Sequence, residues 1–314
     1  MDWTTGSFQA LGTKIKLSVD STSRATEALE RAQTLINHLE DQLTVNRTVS
    51  EVMLVNQQSG KSPVTVSPGT YQLIQTAVQV SRWQLGFNVA IGPLVKLWRI
   101  GFPGAHKPTA KEIADRLSLI DPEAIELNPR QKQVFLRYPG MELDLGGIAK
   151  GYIADQVKDL WQSLDVKTGI IDLGGNILLV GSSGHSDGLW RVGVQNPKQE
   201  RQTPLGVLTI SEQAVGTSGI YERKLIIDQQ SYHHMFDSQT GYPIANNLAS
   251  VTIVSPTSIA GEIWSTIAFY QGLSQGLPLI EAQPGIEAIF VTKDLQVWTS
   301  SGVAAQFVQV SQPK

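Results

Sequence analysis

Three stretches of this chain place chemically active residue types at short spacing. In LDLGGIAKGYIADQV, residues 143–157, a carboxylate (Asp144) precedes the Gly146–Gly147 pair, and Lys150 stands where a helical pattern opens. Glycines at a strand-to-helix turn let the main chain approach a ligand, and the first helical turn offers unpaired N–H groups and a positive dipole end, which suits a phosphate. Lys150 adds a mobile positive charge. Asp144 can accept hydrogen bonds from a ligand or organise the turn. The same residues also read as a plain Gly-Gly turn with solvated charges, and a short glycine motif alone does not separate the two.

In SIAGEIWSTIAFYQG, residues 258–272, the side chains of Ile259, Ile263, Ile267 and Tyr270 form an apolar helical stripe. That leaves Glu262 and Thr266 one turn apart on a neighbouring face. A carboxylate and a hydroxyl are hard oxygen donors of the kind Mg²⁺ takes, with waters and substrate phosphate oxygens completing its shell. The bland alternative is a solvated Glu above a Thr that bonds back to its own helix. The third stretch, YHHMFDSQTGYP (232–243), sets His233, His234 and Asp237 at the end of a hairpin pattern. No third His or Cys accompanies the pair, which argues against zinc. A His near a carboxylate is an acid/base pair, while turn-forming Asp and Thr explain much of the motif without chemistry. GTSGIYER, 216–223, is a further small-residue turn able to line a ligand.

These residues must be held by a folded scaffold. SFQALGTKIKLSVD reads as an opening strand. Ala25, Leu29, Ala32, Leu35, Ile36, Leu39 and Leu43 recur at helical spacing behind Ser21/Thr22 as a cap. A second helix starts at Ser67 with Pro68 in its first turn, and a third at Thr109, with Glu112 at capping-box spacing. From KQVFLRY onward strand patterns dominate, interrupted by helices over about residues 149–164 and 258–273. The order predicts an α+β fold, helices packed on largely antiparallel sheet, in one domain spanning 1–314. The Gly/Pro-rich RIGFPGAHKPT is expected to be a surface loop.

Composition narrows the function classes. The 314 residues carry a formal charge of -3 and no cysteine. That gives no basic stripe for nucleic acid and excludes thiolate catalysis, Cys-ligated zinc and disulfides. No apolar run reaches membrane-spanning length, and the N-terminus lacks a basic segment followed by an apolar core. A reducing, cytoplasmic location is the expectation, although an exported form with its leader removed would share these features.

Taken in order, FQALGTKIKL, FNVAIGPLVKLW, LDLGGIAKGYIADQV, IIDLGGNILLVG, AVGTSGIYER, HHMFDSQTGYP and AGEIWSTIAF resemble the successive blocks of the ApbE-type FAD:protein FMN transferases. The resemblance covers nearly the whole chain. It implies a Mg²⁺-dependent enzyme that splits FAD and joins the FMN half to a Thr or Ser hydroxyl of an acceptor flavoprotein, releasing AMP. By resemblance the backbone carbonyl of Gly147 helps hold the metal, with Glu262, Thr266 and the adjacent Ser265 as ligands from the helix. Leu11, Gly86, Phe87 and Asn88 match flavin-holding positions, Asp144 and Lys150 contact FAD, and Phe236 lines the pocket. His234 is expected to activate the acceptor hydroxyl, oriented by Asp237. The chain departs from the family's usual residues at Glu262 (Asp), Leu11 (Met), Asn88 (Asp), Ala90 (Thr) and Ile220 (Asp). Two other readings stay open: an FAD pyrophosphatase that gives FMN and AMP, and an FAD-binding protein impaired in catalysis.

Overall fold

A computed structural model describes residues 2–21, 24–201 and 203–310. The chain opens with β1 (Trp3–Ala10), β2 (Thr13–Asp20), α1 (Ala25–Leu43), α2 (Glu51–Gln57), β3 (Val64–Thr65), α3 (Pro68–Ser81), α4 (Gly92–Trp98) and α5 (Ala110–Leu117). It continues through β4 (Ile125–Asn128), β5 (Gln133–Leu136), α6 (Ala149–Ser163), β6 (Gly169–Leu173), β7 (Ile177–Val180), β8 (Trp190–Gln195), β9 (Pro204–Ile210) and β10 (Ala214–Gly219). It closes with β11 (Lys224–Ile227), β12 (Gln230–His233), β13 (Leu248–Ser255), α7 (Ser258–Glu281), β14 (Glu287–Thr292), β15 (Val297–Thr299) and β16 (Phe307–Gln309). The predicted mix of helix and antiparallel sheet is what forms.

The chain groups into two compact units, each assembled from separate segments: Met1–Glu40, Lys150–Gly219 and Asn247–Lys314 in the first, Asp41–Ala149 and Ile220–Asn246 in the second. In the first unit an eight-stranded sheet runs in the order β1-β2-β6-β7-β10-β13-β14-β15. Its neighbours are all antiparallel. Every residue of β13 is buried, because both faces of the sheet are covered there. Val215, Val254, Ile289 and Val291 pack with Trp190, Val192, Leu208 and Ile210 of the small sheet β16-β9-β8, and α7 packs on β10 and β13. A strand covered on both faces reads as a continuous apolar run, as LASVTIVS does. The second unit holds the three-stranded sheet β3-β5-β4, the hairpin β11-β12 and helices α2 to α5.

Several local expectations hold on inspection of their caps. Ser67 accepts from Thr70 N at α3, whose first residue is Pro68. Thr109 and Glu112 form a complete capping box on α5. Others change. The opening strand is a hairpin: Leu11 and Gly12 both take positive φ, 55° and 68°, and the two-residue turn sends β2 back along β1. Ser21 bonds Thr4 through its hydroxyl and lies short of α1, which begins at Ala25; Thr22 lies outside the described residues. Of the expected turn GTSGIYER only 220–223 bend; 216–219 belong to strand β10, between β7 and β13 in the sheet. Its small residues disguise it, and Gly216 shows their purpose: a Cβ there would stand 3.2 Å from the main chain of Gly261 on α7. The predicted helix ending near 273 matches a break at Gly272 (φ 69°, ψ 178°), after which α7 resumes to Glu281. Among the described residues no helix is long and apolar enough to cross a membrane.

Candidate functional site

The first unit contains a junction of two helices in which each caps the other. Glu262 on α7 is 8% exposed, and its Oε2 accepts from Gly151 N, in the first turn of α6, at 2.7 Å. Its Oε1 faces the Lys150 ammonium at 3.5 Å. In return, Asp155 of α6 accepts from the first two amides of α7, Ser258 N at 2.8 Å and Ile259 N at 2.9 Å. Both carboxylates thus satisfy amides that have no intrahelical partner. The helices touch closely enough to require glycine: a Cβ on Gly151 would stand 2.6 Å from Ile259 Cα and from the Ser258 carbonyl oxygen. Burial raises the Asp155 pKa, and the two amides and Lys158 pull it back.

Thr266 follows Glu262 by one helical turn and is half-buried. Ser265 is directed elsewhere. Its hydroxyl pairs with Ser218 of β10 at 2.9 Å and donates to the Glu262 carbonyl at 3.1 Å, so it fastens α7 to the sheet.

In the second unit the segments around Phe87 and Asp144 run side by side. Asp144 N donates to the Val89 carbonyl at 2.9 Å, and Ile91 bridges Glu142. The Asn56 amide group takes the place of a neighbouring strand for Leu143, accepting from its N–H at 2.7 Å and donating to its carbonyl at 3.0 Å. The Asp144 side chain accepts from Gly146 N at 2.7 Å. Burial raises its pKa, opposed by that amide and by the Arg223 charge. Gly147 lies against the Phe87 ring, 3.4 Å from where its Cβ would be, and Gly86 takes φ 109°. Asn88 accepts from Ala90 N at 2.9 Å and donates to the Ile120 carbonyl at 2.8 Å. An aspartate could make only the first of these bonds.

The loop after β12 is built on main-chain bonds and one tryptophan. His234 Nδ1 meets the Arg223 carbonyl at 3.3 Å. A carbonyl only accepts, so Nδ1 is the donor in this contact. His233 takes the other tautomer, accepting from Met235 N through Nδ1 and donating Nε2–H to the Ile244 carbonyl at 3.0 Å. Asp237 accepts from Gln239 N at 2.7 Å in a tight turn. Phe236 is buried, its ring 5.8 Å from Trp98. Trp98 also packs on Tyr232 and Tyr242 and donates Nε1–H to the Gly241 carbonyl at 3.0 Å.

The sequence profile of the ApbE family matches residues 11–290. This chain belongs to the ApbE family. An FAD:protein FMN transferase of Klebsiella pneumoniae (strain 342) is 44% identical over 95% of this chain and 92% of its own length. One of Treponema pallidum (strain Nichols) is 34% identical over 93% and 85%. Among solved structures, the ApbE protein of Thermotoga maritima superposes with a TM-score of 0.89 at 25% identity, covering 97% of this chain and 99% of that one.

A glutamate at 262 is one methylene longer than an aspartate, and the geometry gives that length a use. The extra methylene carries Oε2 to Gly151 N, while Oε1 stays turned to a cation, Lys150. A carboxylate already facing positive charge, with a hydroxyl one turn away, fits a divalent ion. Among the described residues no cluster of three or more His, Cys, Asp or Glu side chains is placed to hold a metal. Glu262 and Thr266 could supply two oxygen ligands to a hard ion whose shell water and phosphate would complete. Leu11 sits at the β1–β2 turn in the left-handed region, a strained conformation for a branched side chain.

Sequence reasoning missed Asp155, Gly151, Ser218, Asn56 and Trp98, all of which brace site residues. Asp155 and Gly151 lie within the quoted LDLGGIAKGYIADQV block; a Gly and an Asp at i and i+4 on one helix face are the signal that was there to read.

Proposed function

We propose that this chain transfers the FMN moiety of FAD to a Thr or Ser hydroxyl of an acceptor flavoprotein, with Mg²⁺ as cofactor and AMP as leaving product. One observation carries the reading: the nearly buried Glu262 carboxylate, with Thr266 one turn along α7, faces a cation at 3.5 Å. The relatives named above as FAD:protein FMN transferases, matched over most of their length, supply the reaction.

The chemistry proposed for the chain's own groups is as follows. Glu262 and Thr266 would hold the ion, which would supply neutralisation of charge on the diphosphate. Lys150 and Asp144 hold FAD, and Gly86, Phe87, Asn88, Leu11 and Phe236 shape the flavin contacts. His234 takes the proton of the acceptor hydroxyl as that oxygen bonds to the flavin-side phosphorus. The bond from that phosphorus to the bridging oxygen breaks, and the oxygen leaves on AMP. Asp237 supports the histidine by fixing the turn that follows it. We assign residues 1–314 to one catalytic domain and place the protein in the cytoplasm.

The test is to incubate the full chain with FAD and Mg²⁺, with and without an acceptor flavoprotein. Transfer predicts covalent flavin on the acceptor and AMP formation that depends on it. AMP and FMN formed at equal rates without acceptor would make the protein a pyrophosphatase. FAD binding with no turnover would make it a catalytically impaired binder.

A further inference from the structure

The α6–α7 junction contains a half-buried acid that the reaction does not use. Asp155 spends both oxygens on the first amides of α7, at 2.8 and 2.9 Å, and the neighbouring Ser258 hydroxyl donates to Asn176 Oδ1 at 2.5 Å. The start of α7 is therefore tied at three points, four residues before Glu262. Glu262 returns the tie to Gly151 N. Gly151 itself leaves no space between the helices, since even a methyl group would overlap the Ile259 main chain. Two carboxylates on two helices, each bound to the other's N-terminal amides, fix axial position as well as separation: sliding either helix breaks both sets of bonds.

We propose that Asp155 is a positioning residue for the metal site, holding α7 at the height on α6 where Glu262 Oε1 and Thr266 present their oxygens to one ion. The proposal rests on the transferase reading, because it concerns the ion that reading requires. Mg²⁺ is strict about ligand geometry, so a small displacement of α7 lowers affinity without removing a ligand. Groups behind metal ligands typically change affinity by about 10- to 100-fold when lost. Asp155 is not proposed to touch the ion or FAD.

Asp155→Asn is nearly isosteric, yet it keeps one acceptor oxygen and turns an N–H₂ donor toward an amide donor. The experiment is a titration of the full chain with Mn²⁺ at saturating FAD, reading free ion by electron paramagnetic resonance. A parallel series measures transfer rate against Mg²⁺. The expected result for D155N is ion binding weakened about tenfold or more, a raised KM for Mg²⁺, and a kcat that recovers at saturating Mg²⁺. Gly151→Ala, which pushes α7 off α6 from the other side, is expected to shift ion affinity in the same direction and serves if D155N does not fold. A lowered melting temperature with unchanged ion affinity in the folded variant would overturn the proposal, leaving Asp155 a stability residue only. Failure of the wild-type chain to bind Mn²⁺ would instead overturn the metal-dependent reading itself.

Discussion

The two units carry candidate site residues in opposite styles. In the first, Lys150, Glu262, Ser265 and Thr266 stand on long helices, and the carboxylates that matter are locked by amides of a neighbouring helix. In the second, Phe87, Asn88, Asp144, Gly147 and His234 stand on turns and short connections, held by main-chain bonds, an Asn56 side chain acting as a strand, and the Trp98 cluster. Helices suit a group that must meet a strict coordination geometry. Turns suit groups that follow the outline of a large, flat, flexible substrate, and exposed loops on a rigid scaffold are where binding residues concentrate. The difference predicts that substitutions of Glu262 and Thr266 on α7 act through the ion, and those in the second unit through FAD and proton transfer.

The hardest test of that division is Glu262→Ala. It removes the one carboxylate proposed to hold the ion, and transition-state charge stabilisation by a metal is worth several kcal/mol. Transfer is expected to fall by about 10³-fold or more, with FAD binding measured by flavin fluorescence little changed in the absence of metal. His234→Ala comes next. Removing a general base costs about 10²- to 10⁴-fold, and the ion affinity should stay at the wild-type value. An effect of His234→Ala on ion affinity would blur the division.

Trp98→Ala acts on stability. A fully buried Trp whose indole also holds the Gly241 carbonyl should cost about 3–5 kcal/mol on truncation, read by denaturant unfolding. The smallest stability effect is expected at Asp144→Asn. Burial raises the Asp144 pKa, so its contribution to stability is full below the unfolded value of about 3.9 and is lost as pH rises through the folded value. At neutral pH the neutral amide should therefore leave the unfolding midpoint unchanged or slightly higher, while weakening FAD binding. A large loss of stability at pH 7 would show the ionised carboxylate to be structural.

How much of this was legible in the sequence follows from how local each signal was. Caps at Ser67 and Thr109 could be read because the donor and acceptor lie within four residues. The Glu262–Thr266 pair could be read because helical spacing alone sets it. The bond from Glu262 to Gly151 and those from Asp155 to Ser258 and Ile259 span more than a hundred residues of chain, and no periodicity reports them. β10 was hidden for a related reason: AVGTSG lacks the bulky residues that mark a strand, because α7 sits so close that glycine and small side chains are what fit. The opening hairpin was hidden by Leu11, a residue that seldom takes the left-handed conformation its turn demands.

The most direct test of the account is the mass of an acceptor flavoprotein after incubation with this chain, FAD and Mg²⁺, run beside the Glu262→Ala variant. The account predicts an acceptor heavier by one FMN phosphoester on a Thr or Ser, one AMP released for each flavin attached, and neither product with the variant. An acceptor of unchanged mass alongside full conversion of FAD, or a Glu262→Ala variant as active as the wild type, would contradict it.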